Sequence, residues 1–302
     1  MKAVVFDRHG TPDELHLADM ERPHPGPGEV RVRVRAAGIQ PFDVGVRGGS
    51  LPFPVTFPQQ LGNEFSGVVD RVGDDAGEWA AGDEVLGWAF MRSLAEYVVT
   101  GADSIVSKPP DMPWDVAGGL SSSGATAYTA LRVLDIRPRD TLLVHAAAGG
   151  TGTIATQLAR AWGASVIGTA SEANHAYLAQ LGATPVSYGD GLVERVRAVA
   201  PDGVDAALDA VGGQALHDSV DLVRDKNRIA TLVDHELADE LGVVGVRAQR
   251  VPEQLGDLVS LYQRGALRMP IRERFPLAAI ADAHRLVETG HGRGKVVVTL
   301  DD

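Results

Sequence analysis

The chain has 302 residues and a mass of 31.8 kDa, which exceeds a usual single domain and predicts two of about 150 residues each. Its 28 Lys and Arg against 40 Asp and Glu leave a formal net charge of -12, which argues for a soluble protein and against a general nucleic-acid or anionic-membrane binder. It has no cysteine, which excludes disulfides and thiolate metal sites; with no apolar run near the roughly 18 residues of a membrane helix and no signal-peptide core in residues 1–8, a cytoplasmic location is the plain reading.

Residues 1 to about 120 carry the pattern of short strands. Runs 1–6, 30–36, 67–72, 84–88 and 95–99 are punctuated by Gly, Asp and Pro, and together predict a compact β-barrel-like domain. Val30-Arg-Val-Arg-Val-Arg-Ala36 alternates apolar and basic residues, as a half-solvated antiparallel strand does. From Ser121 the pattern changes. Hydroxyl caps precede a helix over 125–134. Strands then follow at 140–145, 165–169, 185–188, 204–209 and 228–232, with helices between them at 152–162, 173–181, 192–199 and 215–222. Such alternation predicts a doubly wound parallel sheet. A helix over 252–261 comes next, and the closing run 294–300 resembles the N-terminal strands, so the C-terminus is expected to return to the first domain.

Within the second half, residues 140–171 form one βαβ unit. Leu142, Leu143 and Val144 read as a strand buried on both faces, and Val166 and Ile167 open the next one. Between them Ala147, Gly149, Gly150 and Gly152 allow a tight turn and close approach of a pyrophosphate to the N-terminus of a helix beginning near Thr151. A glycine triplet alone is weak, but strand, Gly-turn, helix and strand within roughly thirty residues predict a dinucleotide site.

Pro27-Gly-Glu-Val, Ala36-Ala-Gly-Ile-Gln-Pro-Phe-Asp43, Gly62-Asn-Glu-Phe-Ser-Gly67, Val72-Gly73, Gly82-Asp-Glu-Val85, Ala95-Glu-Tyr97, Gly124-Ala-Thr-Ala-Tyr128, Ala147-Ala-Gly-Gly-Thr-Gly152, Leu208-Asp-Ala-Val-Gly-Gly213 and Gly294-Lys-Val296 stand in this order along the chain. Through them the chain resembles, over nearly its full length, the medium-chain dehydrogenase/reductase superfamily, and within it the zinc-independent quinone oxidoreductase and enoyl reductase branch. The resemblance implies an α/β chain with a GroES-like β-barrel-type catalytic domain in residues 1–120 and 263–302. It implies a Rossmann doubly wound parallel-sheet domain in residues 121–262, with a nicotinamide cofactor between the two.

The zinc-dependent branch has Cys, His and Cys where this chain has Gln40, Asn63 and Ser123, none a good zinc ligand, and the four cysteines of its structural-zinc lobe are absent. No metal is expected. Ala170-Ser171 ends the second strand where an NAD enzyme places an acid for the ribose 2'-hydroxyl, which favours NADP(H). Glu172 falls one step beyond that end. A lysine common in NADPH-binding relatives near Asn174 is missing, which leaves Ser171, Asn174, His175 and Tyr188 as phosphate-side contacts. Thr126, Ala147, Gly149, Gly150, Thr151 and Gly152 complete the implied cofactor set.

On the substrate side, Gln40 replaces the family's Asn and can donate an amide hydrogen bond to a carbonyl oxygen. Asp43 reads either as catalytic or as a loop staple bonded to Arg47. Phe42, Phe53, Trp88 and Phe90 are candidates for an apolar wall against a flat substrate. The function implied is a zinc-independent NADPH-dependent oxidoreductase that transfers hydride to a quinone or α,β-unsaturated carbonyl. Alternatives are an enoyl-thioester reductase of fatty-acid or polyketide metabolism, or a non-catalytic NADPH-binding protein of the same fold. The apolar run 243–248, which begins at Val243 and ends at Ala248, reads as the last Rossmann strand, and its unpaired edge predicts a two-fold homodimer.

Overall fold

A computed structural model describes residues 1–290 and 292–300. Eight strands come first: β1 (Lys2–Phe6), β2 (His16–Asp19), β3 (Glu29–Ile39), β4 (Gln59–Gln60), β5 (Glu64–Val72), β6 (Glu84–Trp88), β7 (Tyr97–Gly101) and β8 (Ile105–Ser107). Helix α1 (Pro41–Gly48) follows β3, while α2 (Trp114–Gly118) and α3 (Ser121–Val133) follow β8. The alternating part runs β9 (Thr141–Val144), α4 (Gly150–Ala161), β10 (Ser165–Ala170), α5 (His175–Gln180), β11 (Thr184–Ser187), α6 (Leu192–Val199), β12 (Ala206–Asp209), α7 (Gln214–Leu222), β13 (Ile229–Thr231), α8 (His235–Leu241) and β14 (Val244–Gly245). The chain closes with α9 (Pro252–Gln263), β15 (Ile271–Pro276), α10 (Ile280–Glu288) and β16 (Lys295–Thr299).

Two compact units result. One holds Met1–Ser122, Arg250–Ser260 and the chain from Met269 on; the other holds Ser123–Gln249 and Leu261–Arg268. The sequence pattern placed the return to the first unit at residue 263, whereas it occurs at Arg250, with a short excursion over 261–268. Helical periodicity reports that α9 buries one face, not which unit receives it.

The first unit is built around β3. Its eleven residues pair with β5 along one edge, while the other edge is shared by β7 over Glu29–Arg33 and by β16 over Ala36–Ile39. The closing strand therefore joins the N-terminal sheet, as its pattern suggested. Val30, Val32 and Val34 enter a core with Phe6, Phe65, Val69, Val296 and Val298. The alternate face of β3 is less solvated than expected. Arg31 is buried, with its guanidinium forked onto Asp70 at 2.6–3.2 Å and bonded to the carbonyl of Pro23.

The second unit carries a six-stranded parallel sheet in the order β11-β10-β9-β12-β13-β14. Strand order reverses between β9 and β12, which is where such sheets bind ligands at their carboxyl ends. The last strand is only Val244–Gly245, two residues instead of the expected six, although Val246 N–H still bonds the carbonyl of Thr231. No helix of the described residues is long and apolar enough to cross a membrane.

Candidate active site

In the second unit the turn after β9 is shaped by an alanine. Ala146 adopts φ 52°, while Gly149 sits at φ -69° as the N-cap of α4. The glycine that cannot be replaced is Gly152: a Cβ there would stand 2.3 Å from the carbonyl oxygen of Ala146 and 2.7 Å from Cα of Ala147. It lets the first turn of α4 lie against the loop, with the first-turn N–H groups of Gly150, Thr151 and Gly152 lacking intrahelical acceptors, as at any helix start. The cradle around Ala147, Gly149, Gly150, Thr151 and Gly152 thus has the backbone chemistry of an anion site.

Just past β10, Ser171 caps a 3-10 turn (Glu172–Asn174) that leads into α5. Asn174 Nδ2 donates to Ser171 Oγ at 3.3 Å, and His175 Nε2 lies 3.4 Å from Ser187 Oγ. Glu172 is exposed in the turn, one residue past the strand-end position. Tyr188 is 59% exposed, and the Arg195 guanidinium holds its loop by donating to the carbonyls of Ser187, Tyr188, Gly189 and Asp190. Ser171, Asn174, His175 and Tyr188 are therefore brought to one rim, while Thr126 stands half-buried on α3. At the neighbouring strand ends, buried Asp209 accepts N–H bonds from Val211 and Gly212 and the Thr231 hydroxyl at 2.6 Å. Burial holds the His145 ring below its ordinary pKa, against the pull of Asp209. Because Ser219 Oγ donates to the carbonyl of Ala215, it accepts from His145 at 2.9 Å, which places the ring proton on Nε2.

In the first unit Gln40, Asn63 and Glu64, three of the positions compared with the zinc branch, join a polar network with Asp43. Asp43, fully buried, accepts from the backbone N–H of Gln40 (3.0 Å) and Gly62 (3.1 Å) and from Asn63 Nδ2 (2.8 Å). Burial pushes its pKa up to about 6, against the lowering effect of the Gln40 and Gly62 N–H groups and of Lys295. Glu64, also fully buried, accepts from Gln40 Nε2 (3.2 Å), the N–H of Ser122 (2.7 Å) and Lys295 Nζ (2.7 Å), and Nζ donates again to the carbonyl of Ile39. One expectation is corrected: Asp43 is not bonded to Arg47, whose guanidinium turns instead to the carbonyl of Gly10 and to Glu288. The Gln40 amide gives one of its two N–H groups to Glu64. Among the described residues no group of three or more His, Asp and Glu side chains is placed to hold a metal ion.

Three of the four aromatics expected as a wall do meet. Phe42, Phe53 and Phe90 form a trio with ring centroids 5.5–6.0 Å apart, two of its contacts edge-to-face. Trp88 stands elsewhere, buried in β6 opposite Glu64 in the strand register. The guanidinium of Arg250 lies 5.1 Å from the Phe90 ring centroid and donates from Nη2 to Asn63 Oδ1 at 3.2 Å. Sequence reasoning missed Arg250 and Lys295 as members of this network. Lys295 sits inside the Gly294-Lys-Val296 motif, where its charge in an otherwise apolar run was the one available signal.

Comparison with known proteins agrees with this architecture. A family model described as the alcohol dehydrogenase GroES-like domain matches residues 26–135, and one described as zinc-binding dehydrogenase matches residues 181–298. The chain is 31% identical to the quinone oxidoreductase of Pseudomonas aeruginosa, over 98% of its own length and 99% of that protein. It is 34% identical, over 88% of its length, to component PikAII of the pikromycin polyketide synthase of Streptomyces venezuelae, of which it spans only 8%. Among solved structures, the quinone oxidoreductase of Coxiella burnetii superposes with a TM-score of 0.92 at 34% identity, covering 100% of this chain and 99% of that one. The Escherichia coli quinone oxidoreductase complexed with NADPH gives 0.88 at 26% identity, covering 99% and 100%. The CurK enoyl reductase gives 0.90 at 27% identity, covering 99% of both chains.

Proposed function

We propose an activity for this chain from one premise: it is an oxidoreductase that belongs to the quinone oxidoreductase branch of the medium-chain dehydrogenase/reductase superfamily. The proposed reaction is NADPH-dependent reduction of a quinone or an α,β-unsaturated carbonyl without zinc. Support for a dinucleotide comes from the Gly152 cradle, where any side chain would strike the loop that faces the helix N-terminus. Support for NADPH over NADH comes from the strand end at Ala170 and Ser171, which carries no acid to repel a 2'-phosphate. When bound, the reduced nicotinamide supplies the hydride; the chain binds and orients the nucleotide and stabilises the charge that develops on the substrate oxygen.

The observation that carries the metal-free reading is the Glu64–Lys295 pair. The one carboxylate kept at the zinc-branch positions is already neutralised by a buried ammonium at 2.7 Å, and its neighbours Gln40 and Asn63 carry amides. Polarisation of the substrate carbonyl then falls to N–H donors of this unit. We further propose a cytoplasmic homodimer. A second reading, an enoyl-thioester reductase, is favoured by the 34% identity to a polyketide synthase component. NADPH oxidation measured against quinones, enones and crotonyl thioesters, in a protein stripped of metal by chelator, separates them. Turnover confined to thioesters selects the second reading; activity lost with chelation and restored by zinc refutes both.

A further inference from the structure

We propose that Arg250 receives the developing oxyanion of the substrate, its guanidinium hydrogen-bonding the oxygen on which charge appears. This rests on the proposed reductase activity for its chemistry, but its geometry stands apart from it. Three observations lead there. Lys295 Nζ is buried between Glu64 and the carbonyl of Ile39, and the Gln40 amide gives one N–H to Glu64, so both groups are turned toward acceptors of the protein itself. Arg250 instead extends over Phe90, the most exposed ring of the aromatic trio at 42%, where a flat substrate stacked on that trio would present its carbonyl edge. Its side-chain hydrogen bond among the described residues is the one to Asn63, from a group with five N–H donors.

Asn63 explains why the guanidinium is held there. Its Nδ2 donates to buried Asp43, which fixes the amide so that Oδ1 faces Arg250. The result is a carboxylate–amide–guanidinium chain in which a buried negative charge orients an accessible positive one. Burial eases the Arg250 pKa down while Glu64 and Asp43 raise it, and a guanidinium in such surroundings stays charged at neutral pH. As the substrate accepts hydride at carbon from the reduced nucleotide, which is oxidised, the electron pair of the conjugated system moves to oxygen. Arg250 holds that charge by hydrogen bonds and keeps its own protons; water protonates the oxygen afterwards. No bond to Arg250 forms or breaks.

Two measurements test this. The first is titration of the protein with 4-nitrophenol, a planar phenol whose anion absorbs visible light. Bound beside Arg250 it should ionise about one pH unit or more below its free value, and Arg250→Gln should abolish the shift; an unshifted spectrum on binding to the wild type overturns the assignment whatever the turnover. The second is kinetics on the best quinone or enone. Arg250→Ala should lower kcat about a hundredfold, with NADPH Kd unchanged within error, Arg250→Lys intermediate, and partial rescue of the alanine variant by added guanidinium ion. Unchanged kcat, or a loss expressed as weaker NADPH binding, overturns the proposal. A wild type that reduces nothing in the panel yet ionises bound nitrophenol would sink the reductase reading and leave Arg250 an oxyanion receptor.

Discussion

His284 offers the sharpest test of how the first unit is held. It lies on α10, fully buried, and neither ring nitrogen has a hydrogen-bond partner among the described residues. Burial, followed by the adjacent charge of Arg47, lowers its pKa to about 3. The native ring therefore refuses a proton that the unfolded chain takes up near pH 6.5, and stability present above that pH is lost as the pH falls. Between pH 8 and pH 5 the loss is about 2 kcal/mol, because over that range it is the unfolded chain that titrates. Asp43 has the opposite sign. Its native pKa of about 6 lies above the ordinary carboxylate value of 3.8, so it contributes about 1 kcal/mol at pH 5 that disappears as the pH rises through 6. In the wild type the two titrations nearly conceal each other. His284→Leu uncovers them: it keeps a similar volume, removes two unpartnered polar atoms and should be more stable at every pH, by a margin about 2 kcal/mol larger at pH 5 than at pH 8. Urea denaturation followed by tryptophan fluorescence at both pH values measures this; parallel curves for variant and wild type would refute a buried, neutral His284.

Gly152→Ala should destabilise the second unit by about 1–3 kcal/mol and weaken nucleotide binding in a fluorescence titration, because its Cβ would collide with backbone at Ala146 and Ala147. Gln40→Ala should lower turnover roughly tenfold to a hundredfold, with NADPH affinity little changed, if the amide N–H not taken by Glu64 serves the substrate oxygen; steady-state kinetics with an unchanged kcat would remove Gln40 from the site. Light scattering at micromolar concentration should report a dimer of about twice 31.8 kDa. A monomer would mean that the short edge at Val244–Gly245 needs no partner.

What was legible in the sequence was local. The Rossmann half shows itself because strand and helix periods alternate over short distances and because Gly152 marks a close approach that no larger residue allows. The edge strand was overread for the same reason: Val243-Val-Gly-Val has strand composition, but Arg247 onward leaves the sheet after a single backbone bond from Val246. Helix α1 was missed because Pro41 and two glycines (Gly45 and Gly48) weaken its propensity, while its start is set by Asp43 bonding back to the N–H of Gln40. The aromatic trio was legible in composition alone; which rings meet depends on β6 carrying Trp88 away from the other three.

The charge balance of the site was not legible, and the reason lies in electrostatics acting across long sequence separations. Burying Asp43 and Glu64 together is costly unless positive charge and N–H donors reach them, since a buried charge whose partner is removed costs about 3–5 kcal/mol. Those groups come from Gly62 and Asn63 nearby, but also from Lys295, 231 positions beyond Glu64, and Arg250, 187 positions beyond Asn63. Read position by position, Gln40, Asn63 and Ser123 are only the loss of zinc ligands. Folded, the same region gains an ammonium that neutralises Glu64 and a guanidinium tied to Asp43 through Asn63. The two cations differ in use because they differ in access: Lys295 is closed in between Glu64 and a carbonyl and can only hold the network together, whereas Arg250 reaches an exposed ring with donors to share. On the proposed reading the site stabilises an oxyanion without a metal only while Asp43 stays ionised: protonation of Asp43 near pH 6 weakens the hold on Asn63, and the Arg250-dependent part of turnover should fall below that pH while NADPH binding persists.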